Sequence, residues 1–269
     1  MDYLPHFHRE VLAFEAAVRR AAEADGAPLV PSCPGWSVAD LTAHLGGVHR
    51  FVARIVGERA DGPPDVTDLS LFRLPADLTD WPLPERAPHR GPLPDRLIDW
   101  FADGAAELEA AFRGAPADTA VWSWSAERTV GFWLRVQSIE AAVHRWDAQN
   151  AVGTPCPIDA GLAHDAVRRH FEVLVPAWRT GSQAPPGAGE RYRFRQTDGS
   201  GDWRVRFLGE QVLLTEEDEP GGPPSDVELA GTASDLMLFL WRRVPADRLV
   251  RATGNREVLD RYFTLAPLP

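Results

Sequence analysis

The hydrophobic periodicity of this chain changes once, near residue 153, and that change limits the folds open to it. Before it, apolar residues recur at helical spacing. Residues 6–24 carry Phe7, Val11, Phe14, Ala17 and Val18 with charges between them, and Asp25-Gly26-Ala27-Pro28 ends the run. A loop of helix breakers follows, Pro31-Ser32-Cys33-Pro34-Gly35-Trp36. Ser37 then has the chemistry of an N-cap, with Asp40 three residues on where a capping box usually has Glu or Gln. The second predicted helix carries Leu41, His44, Leu45, Val48, Phe51, Val52 and Ile55. A third is predicted near 93–113 through Leu97, Trp100, Phe101, Ala105, Leu108 and Phe112. A fourth, near 129–151, carries Val130, Phe132, Trp133, Val136, Ile139, Glu140, Val143, His144 and Ala148. Four long amphipathic helices predict a four-helix bundle, a fold that commonly places metal sites between facing helices. Residues 60–92 are rich in Pro and Asp and show little periodicity. They predict a long surface excursion with short helical turns, the kind of loop that often serves as a lid.

Gly153 to Pro157 marks the boundary, dividing the chain into domains 1–152 and 153–269. A helix near 159–177 bridges to the second half. The pattern there has period two: Tyr192-Arg193-Phe194-Arg195, Trp203-Arg204-Val205-Arg206-Phe207 and Gln211-Val212-Leu213-Leu214 predict strands, with a short one at Asp226–Leu229. Thr232 or Ser234 caps a helix through Trp241, a further strand spans Leu249–Thr253, and a last helix covers 255–263. The second half is therefore a smaller α+β unit, and no internal repeat is present.

Composition narrows the class of function. A net charge of −11 and a pI near 5.2 argue against nucleic acid or an acidic membrane as partner. All 28 basic side chains outside the histidines are Arg; with the many Ala, Pro and Gly this reads as codon bias more than a functional choice. Cys33 and Cys156 are too few for a disulfide framework. Each lies beside prolines and reads as a small loop residue, with a catalytic thiol as the alternative. There is no basic leader followed by an apolar stretch and no run of about 18 apolar residues. A cytoplasmic protein is expected.

The residues with chemistry are His44, Glu140 and His144. Glu140 and His144 stand four apart on a predicted helix and so share a face. A carboxylate and an imidazole so placed grip one divalent cation, and His44 from a facing helix completes a three-ligand set. Two His and one carboxylate leave a coordination position open, the catalytic pattern. The competing reading makes His44 a buried, hydrogen-bonded core imidazole, and Glu-x-x-x-His also occurs by chance in many helices. Asp147 either orients a ligand from behind or pairs with an Arg at the surface, the second being slightly favoured. His6, His8 and His49 are expected near helix surfaces, and His89, His164 and His170 have no partner at ligand spacing.

Residues 31–45, from Pro31-Ser32-Cys33-Pro34-Gly35-Trp36 to His44-Leu45, together with Glu140-Ala141-Ala142-Val143-His144-Arg145-Trp146-Asp147, resemble the N-terminal domain of the mycothiol-dependent maleylpyruvate isomerase family. The resemblance covers roughly residues 5–152. It implies a DinB-like metal-binding four-helix bundle whose His, Glu and His ligands fall on His44, Glu140 and His144. Residues 159–265 resemble the sterol-carrier-like α+β domain often paired with it, through Leu229-Ala230-Gly231-Thr232-Ala233-Ser234-Asp235-Leu236 and Leu240-Trp241-Arg242-Arg243. Family members often have Gly-Arg at the end of that helix. Here Arg242 stands for the Gly, and Arg243 keeps the Arg that the resemblance implicates in substrate contact. An ordinary helix-end Arg is the competing reading of Arg243. The resemblance implies a divalent metal, Zn²⁺ first, with Ni²⁺, Fe²⁺ and Mn²⁺ also suited to His and Glu. It further implies mycothiol as thiol cosubstrate and a small electrophile as partner, in isomerisation or S-transfer. A non-enzymatic small-molecule or lipid carrier with a vestigial or structural metal site is the alternative.

Overall fold

The computed structural model describes residues 1–216 and 223–268. The chain forms two compact units, Met1–Cys156 and the part from Pro157 onward. Among the described residues no helix is long and apolar enough to cross a membrane.

The first unit is a bundle of four helices: α1 (Leu4–Ala21), α2 (Val38–Glu58), α3 (Asp95–Gly114) and α4 (Val130–Ala151). α1 packs on α3 and α4, and α2 packs on the same two. The Ser37–Asp40 capping box is complete: the Asp40 N–H donates to Ser37 Oγ at 3.3 Å and the Ser37 N–H to Asp40 Oδ2 at 2.8 Å. The Asp40 carboxylate also accepts from the His89 N–H, at 2.9 Å, which ties the 60–92 excursion to the start of α2. α2 and α3 approach closely over glycine. A Cβ on Gly46 would lie 2.3 Å from the Trp100 ring, so only glycine fits there. Arg50, one turn on, stacks over that ring at 4.0 Å and donates to the Trp100 carbonyl at 2.6 Å. A buried ion pair, Arg145 Nε to Glu10 Oε2 at 2.7 Å, joins α4 to α1.

The excursion contains the expected short turns, 3₁₀ helices at Leu69–Phe72 and Pro84–Arg86. It is pinned to the bundle. Leu71 and Trp81 are buried, Trp81 meets Trp100 edge-on, and Trp100 Nε1 donates to the Phe72 carbonyl at 2.9 Å. One expectation fails. His49 is fully buried between Phe7 and Phe101, not near a surface. Leu45 at i−4 and Val52 at i+3 flank it on the same buried stripe, so its place follows from helical spacing.

In the second unit the bridging helix is longer than predicted and interrupted: α5 (Ala160–Arg169), a π-helical turn (His170–Leu174) and α6 (Val175–Ser182). Pro176 has no N–H to donate, and the chain widens just before it, with the Val175 N–H reaching back to His170. Five strands follow, β1 (Gly187–Gln196), β2 (Asp202–Gly209), β3 (Gln211–Thr215), β4 (Val227–Gly231) and β5 (Arg251–Gly254), in sheet order β3-β2-β1-β4-β5. β1 and β4 are parallel; the other pairs are antiparallel. Period-two alternation turns Tyr192, Phe194, Trp203, Val205 and Phe207 inward, where Phe171, Phe239 and Tyr262 join several of them in an aromatic core. α7 (Ala233–Leu240) is capped by Thr232 and ends one residue before the predicted Trp241; α8 (Arg256–Leu265) closes the chain. Arg242 follows α7 with φ of 58°, the left-handed conformation that glycine adopts freely. Its guanidinium compensates, stacking on Phe263 at 4.6 Å and donating to that residue's carbonyl at 2.9 Å.

Burial holds both His49 and His170 well below their ordinary value, to about 3. On unfolding each ring returns to about 6.5, so below that pH the unfolded chain binds a proton that the folded one refuses. The stability conferred by keeping each ring neutral is complete above pH 6.5 and is lost as pH falls toward 3. Denaturant unfolding between pH 6.5 and 4 is expected to show a fall of up to about 1.4 kcal/mol per pH unit for each ring. His49→Phe or His170→Phe should flatten the slope; an unchanged slope would show that these rings are not the cause.

Candidate metal centre

Helical spacing on α4 and the packing of α2 against it bring His44, Glu140 and His144 together. Each offers a ligand atom, and the three atoms lie within 4.8 Å of one another. His44 Nε2 is 3.5 Å from Glu140 Oε1, and the rings of His44 and His144 meet edge-on with centroids 5.3 Å apart. For ligands about 2.1 Å from a tetrahedral ion, the ligand–ligand edge is about 3.4 Å. The His44–Glu140 pair therefore already stands near that edge. Among the described residues no fourth His, Cys, Asp or Glu joins the group.

Each donor is braced. Gln137, one turn before Glu140, donates from Nε2 to Glu140 Oε2 at 2.7 Å, which leaves Oε1 toward His44. Asp147 Oδ2 lies 3.1 Å from His144 Nδ1, which leaves Nε2 as the unengaged ring nitrogen. Trp36 stands beside His44 with ring centroids 5.0 Å apart. Asp147 is fully buried, so the surface ion pair favoured for it is wrong. It also accepts from Ser32 Oγ at 2.6 Å and from the Cys33 thiol at 3.4 Å. Cys33 is thus a donor behind the site, while Cys156 is exposed.

His144 is buried; His44 and Glu140 are half-buried and open to a ligand from outside. Burial alone would raise the Glu140 carboxyl. The hydrogen bond and charge of His44, the charge of His144 and the Gln137 bond outweigh it and hold it at about 2. Burial lowers His144, against the opposing bond and charge of Asp147. Near neutral pH the pocket thus offers an ionised carboxylate and, at His144, a neutral imidazole, both in the state that binds a cation.

Arg243 belongs to the second unit. Its N–H donates to the Leu238 carbonyl at 2.8 Å, closing α7, and its Nη1 donates to the Trp241 carbonyl at 2.8 Å. Gln137 and Ser32 went unread in the sequence. Gln137 had a signal, its i−3 spacing from Glu140; Ser32 had none short of the fold.

The mycothiol maleylpyruvate isomerase N-terminal domain family matches residues 7–149, and the MDMPI C-terminal domain family matches residues 162–261. The chain belongs to the mycothiol-dependent maleylpyruvate isomerase family. Two solved structures share its fold. One is a histidine-to-alanine mutant of mycothiol-dependent maleylpyruvate isomerase, with TM-score 0.58 and 15% identity over 94% of this chain and 92% of that one. The other is the mycothiol-dependent maleylpyruvate isomerase, with TM-score 0.57 and 14% identity over the same shares. A search of curated proteins finds no match. Within the family fold, the three donors of this chain converge from α2 and α4 with their braces behind them.

The Asp147 contact sets the tautomer of His144. Long-range ¹H–¹⁵N spectra of the metal-free protein at pH 7.5 should show His144 protonated at Nδ1. Asp147→Leu should shift it toward the Nε2–H form. A wild-type ring protonated at Nε2 would mean that Asp147 does not orient it.

Proposed function

We propose that this chain is a metal-dependent, thiol-using enzyme of the mycothiol-dependent isomerase class, with S-transfer to an electrophile as the neighbouring reaction type. His44, Glu140 and His144 would hold one divalent cation, Zn²⁺ by first choice. The observation that carries this reading is the convergence of two imidazoles and a carboxylate with no fourth protein ligand among the described residues. A bound cation of this kind supplies a Lewis acid at which a thiol loses its proton near neutral pH, well below its ordinary value near 8.5.

The chain's own residues prepare that chemistry. Asp147 fixes the His144 ring and keeps Nε2 unprotonated; Gln137 fixes the Glu140 carboxylate. Glu140 acts as a ligand, its carboxyl held at about 2 and so ionised near neutral pH. Trp36 walls the His44 side of the pocket. Arg243, assigned through the family resemblance, would pair its planar fork with a substrate carboxylate or a developing enolate. The interior of the second unit is filled by Tyr192, Phe194, Phe207 and Tyr262, so a lipid buried inside that unit draws no support.

Metal analysis of the purified protein tests the reading. About one equivalent of divalent metal is expected in the wild type and almost none in His44→Ala or Glu140→Ala. Asp147→Asn should keep the site but weaken it about 10- to 100-fold in chelator competition. Thiol-dependent turnover of a panel of small unsaturated carboxylates should disappear with the metal. In Arg243→Gln it should show kcat/KM lowered about 10- to 100-fold. Stoichiometric metal in His44→Ala would overturn the ligand assignment, and turnover without added thiol would overturn the thiol chemistry.

A further inference from the structure

The outward face of the second unit's sheet runs against the charge of the whole chain. Alternation along β1 and β2 puts Arg191, Arg193, Arg195, Arg204 and Arg206 on the side opposite the aromatic core. The register sets them facing each other across the strand pair, Arg191 opposite Arg206 and Arg193 opposite Arg204. Like charges directly opposite on antiparallel strands destabilise a sheet unless counter-charges answer them.

One rung is answered. Arg193 makes a two-pronged contact with Asp202 at 2.9 and 2.5 Å, Glu228 lies 3.8 Å from it, and Arg204 reaches Asp202 at 3.4 Å. The other is not. Neither the Arg191 nor the Arg206 side chain has a carboxylate partner within 4.0 Å among the described residues, and Arg206 Nε is buried without an acceptor. The nearby Asp226 carboxylate is taken by the Arg191 backbone N–H, at 2.8 Å. This unanswered rung lies in a cleft of about 590 Å³, a size suited to a small organic molecule. Leu213, Val212, Pro223 and Pro224 give the same cleft an apolar side.

We propose that this cleft is a binding site for a small amphipathic anion, with a carboxylate or phosphate head on Arg191 and Arg206 and an apolar body against Leu213 and Pro223. The two guanidinium groups supply planar, paired donors of the kind that recognise such heads. A bound anion supplies a counter-charge to the Arg191–Arg206 rung, which has none among the described residues. The site is distinct from the donor cluster of the first unit and does not depend on the reading of that cluster.

Calorimetric titration of the full chain at low salt with phenyl phosphate and with benzoate tests this. Saturable one-to-one binding is expected, weakened at least about tenfold in the Arg191→Gln/Arg206→Gln double variant and unchanged in Arg251→Gln. Tighter phenyl phosphate marks a phosphate ligand; tighter benzoate marks a carboxylate. Because the substitutions remove like-charge repulsion, the double variant should melt no lower than the wild type without probe. Should it melt early, Arg206→Gln alone must show the same direction of loss. The probe should raise the melting temperature of the wild type and not of the variant. No saturable binding of either probe at millimolar concentration, or equal affinity in wild type and variant, overturns the proposal.

Discussion

One buried carboxylate holds the first unit's donor cluster in order. Asp147 accepts from His144 Nδ1, from Ser32 and from Cys33, so a single group sets the ring's free nitrogen and fastens the Pro31–Trp36 loop to α4. That loop leads straight into the Ser37 cap, and two helical turns later α2 presents His44. A carboxylate this deep is costly unless donors surround it. Satisfying Asp147 therefore requires the same loop path that starts α2 beside α4. The local demand for hydrogen bonds and the convergence of distant donors are two outcomes of one arrangement.

Much of the fold was legible because its elements are strongly periodic. The four bundle helices lie within about three residues of where spacing and caps put them, a usual margin for ends read from sequence. The strands were legible as short alternations, yet their lengths were not, because β1 extends through Gly187-Ala188-Gly189, which carries no hydrophobic signal. The π-helical turn at His170–Leu174 was invisible because its cause is a proline two residues beyond it. The expected surface place of His49 fails because its neighbours on the helix face, Leu45 and Val52, carry the polar ring inside with them.

The candidate site divides the same way. His44, Glu140 and His144 could be named from helix spacing together with resemblance, since spacing alone joins only the last two. Their braces were legible only in part: Asp147 reads either as a brace or as a surface ion-pair partner, and Gln137 carries only its i−3 spacing. Gln137 lies three residues before Glu140 and Asp147 three after His144, where a helix offers several polar neighbours and only packing selects the one that turns inward. Ser32 and Cys33 reach Asp147 across more than a hundred residues of chain. The charge of the chain conceals a further feature: a total of −11 gives no hint that five arginines share one face of a sheet.

X-ray absorption at the metal edge of the loaded protein, before and after adding mycothiol, bears most directly on the centre. Two imidazole nitrogens and a carboxylate oxygen are expected at about 2.0–2.2 Å, with the remaining position filled by a light atom. On adding thiol, one sulfur should appear at about 2.3 Å while both imidazoles remain. A shell without imidazole scattering, or sulfur present before any thiol is added, would contradict a centre built from His44, Glu140 and His144.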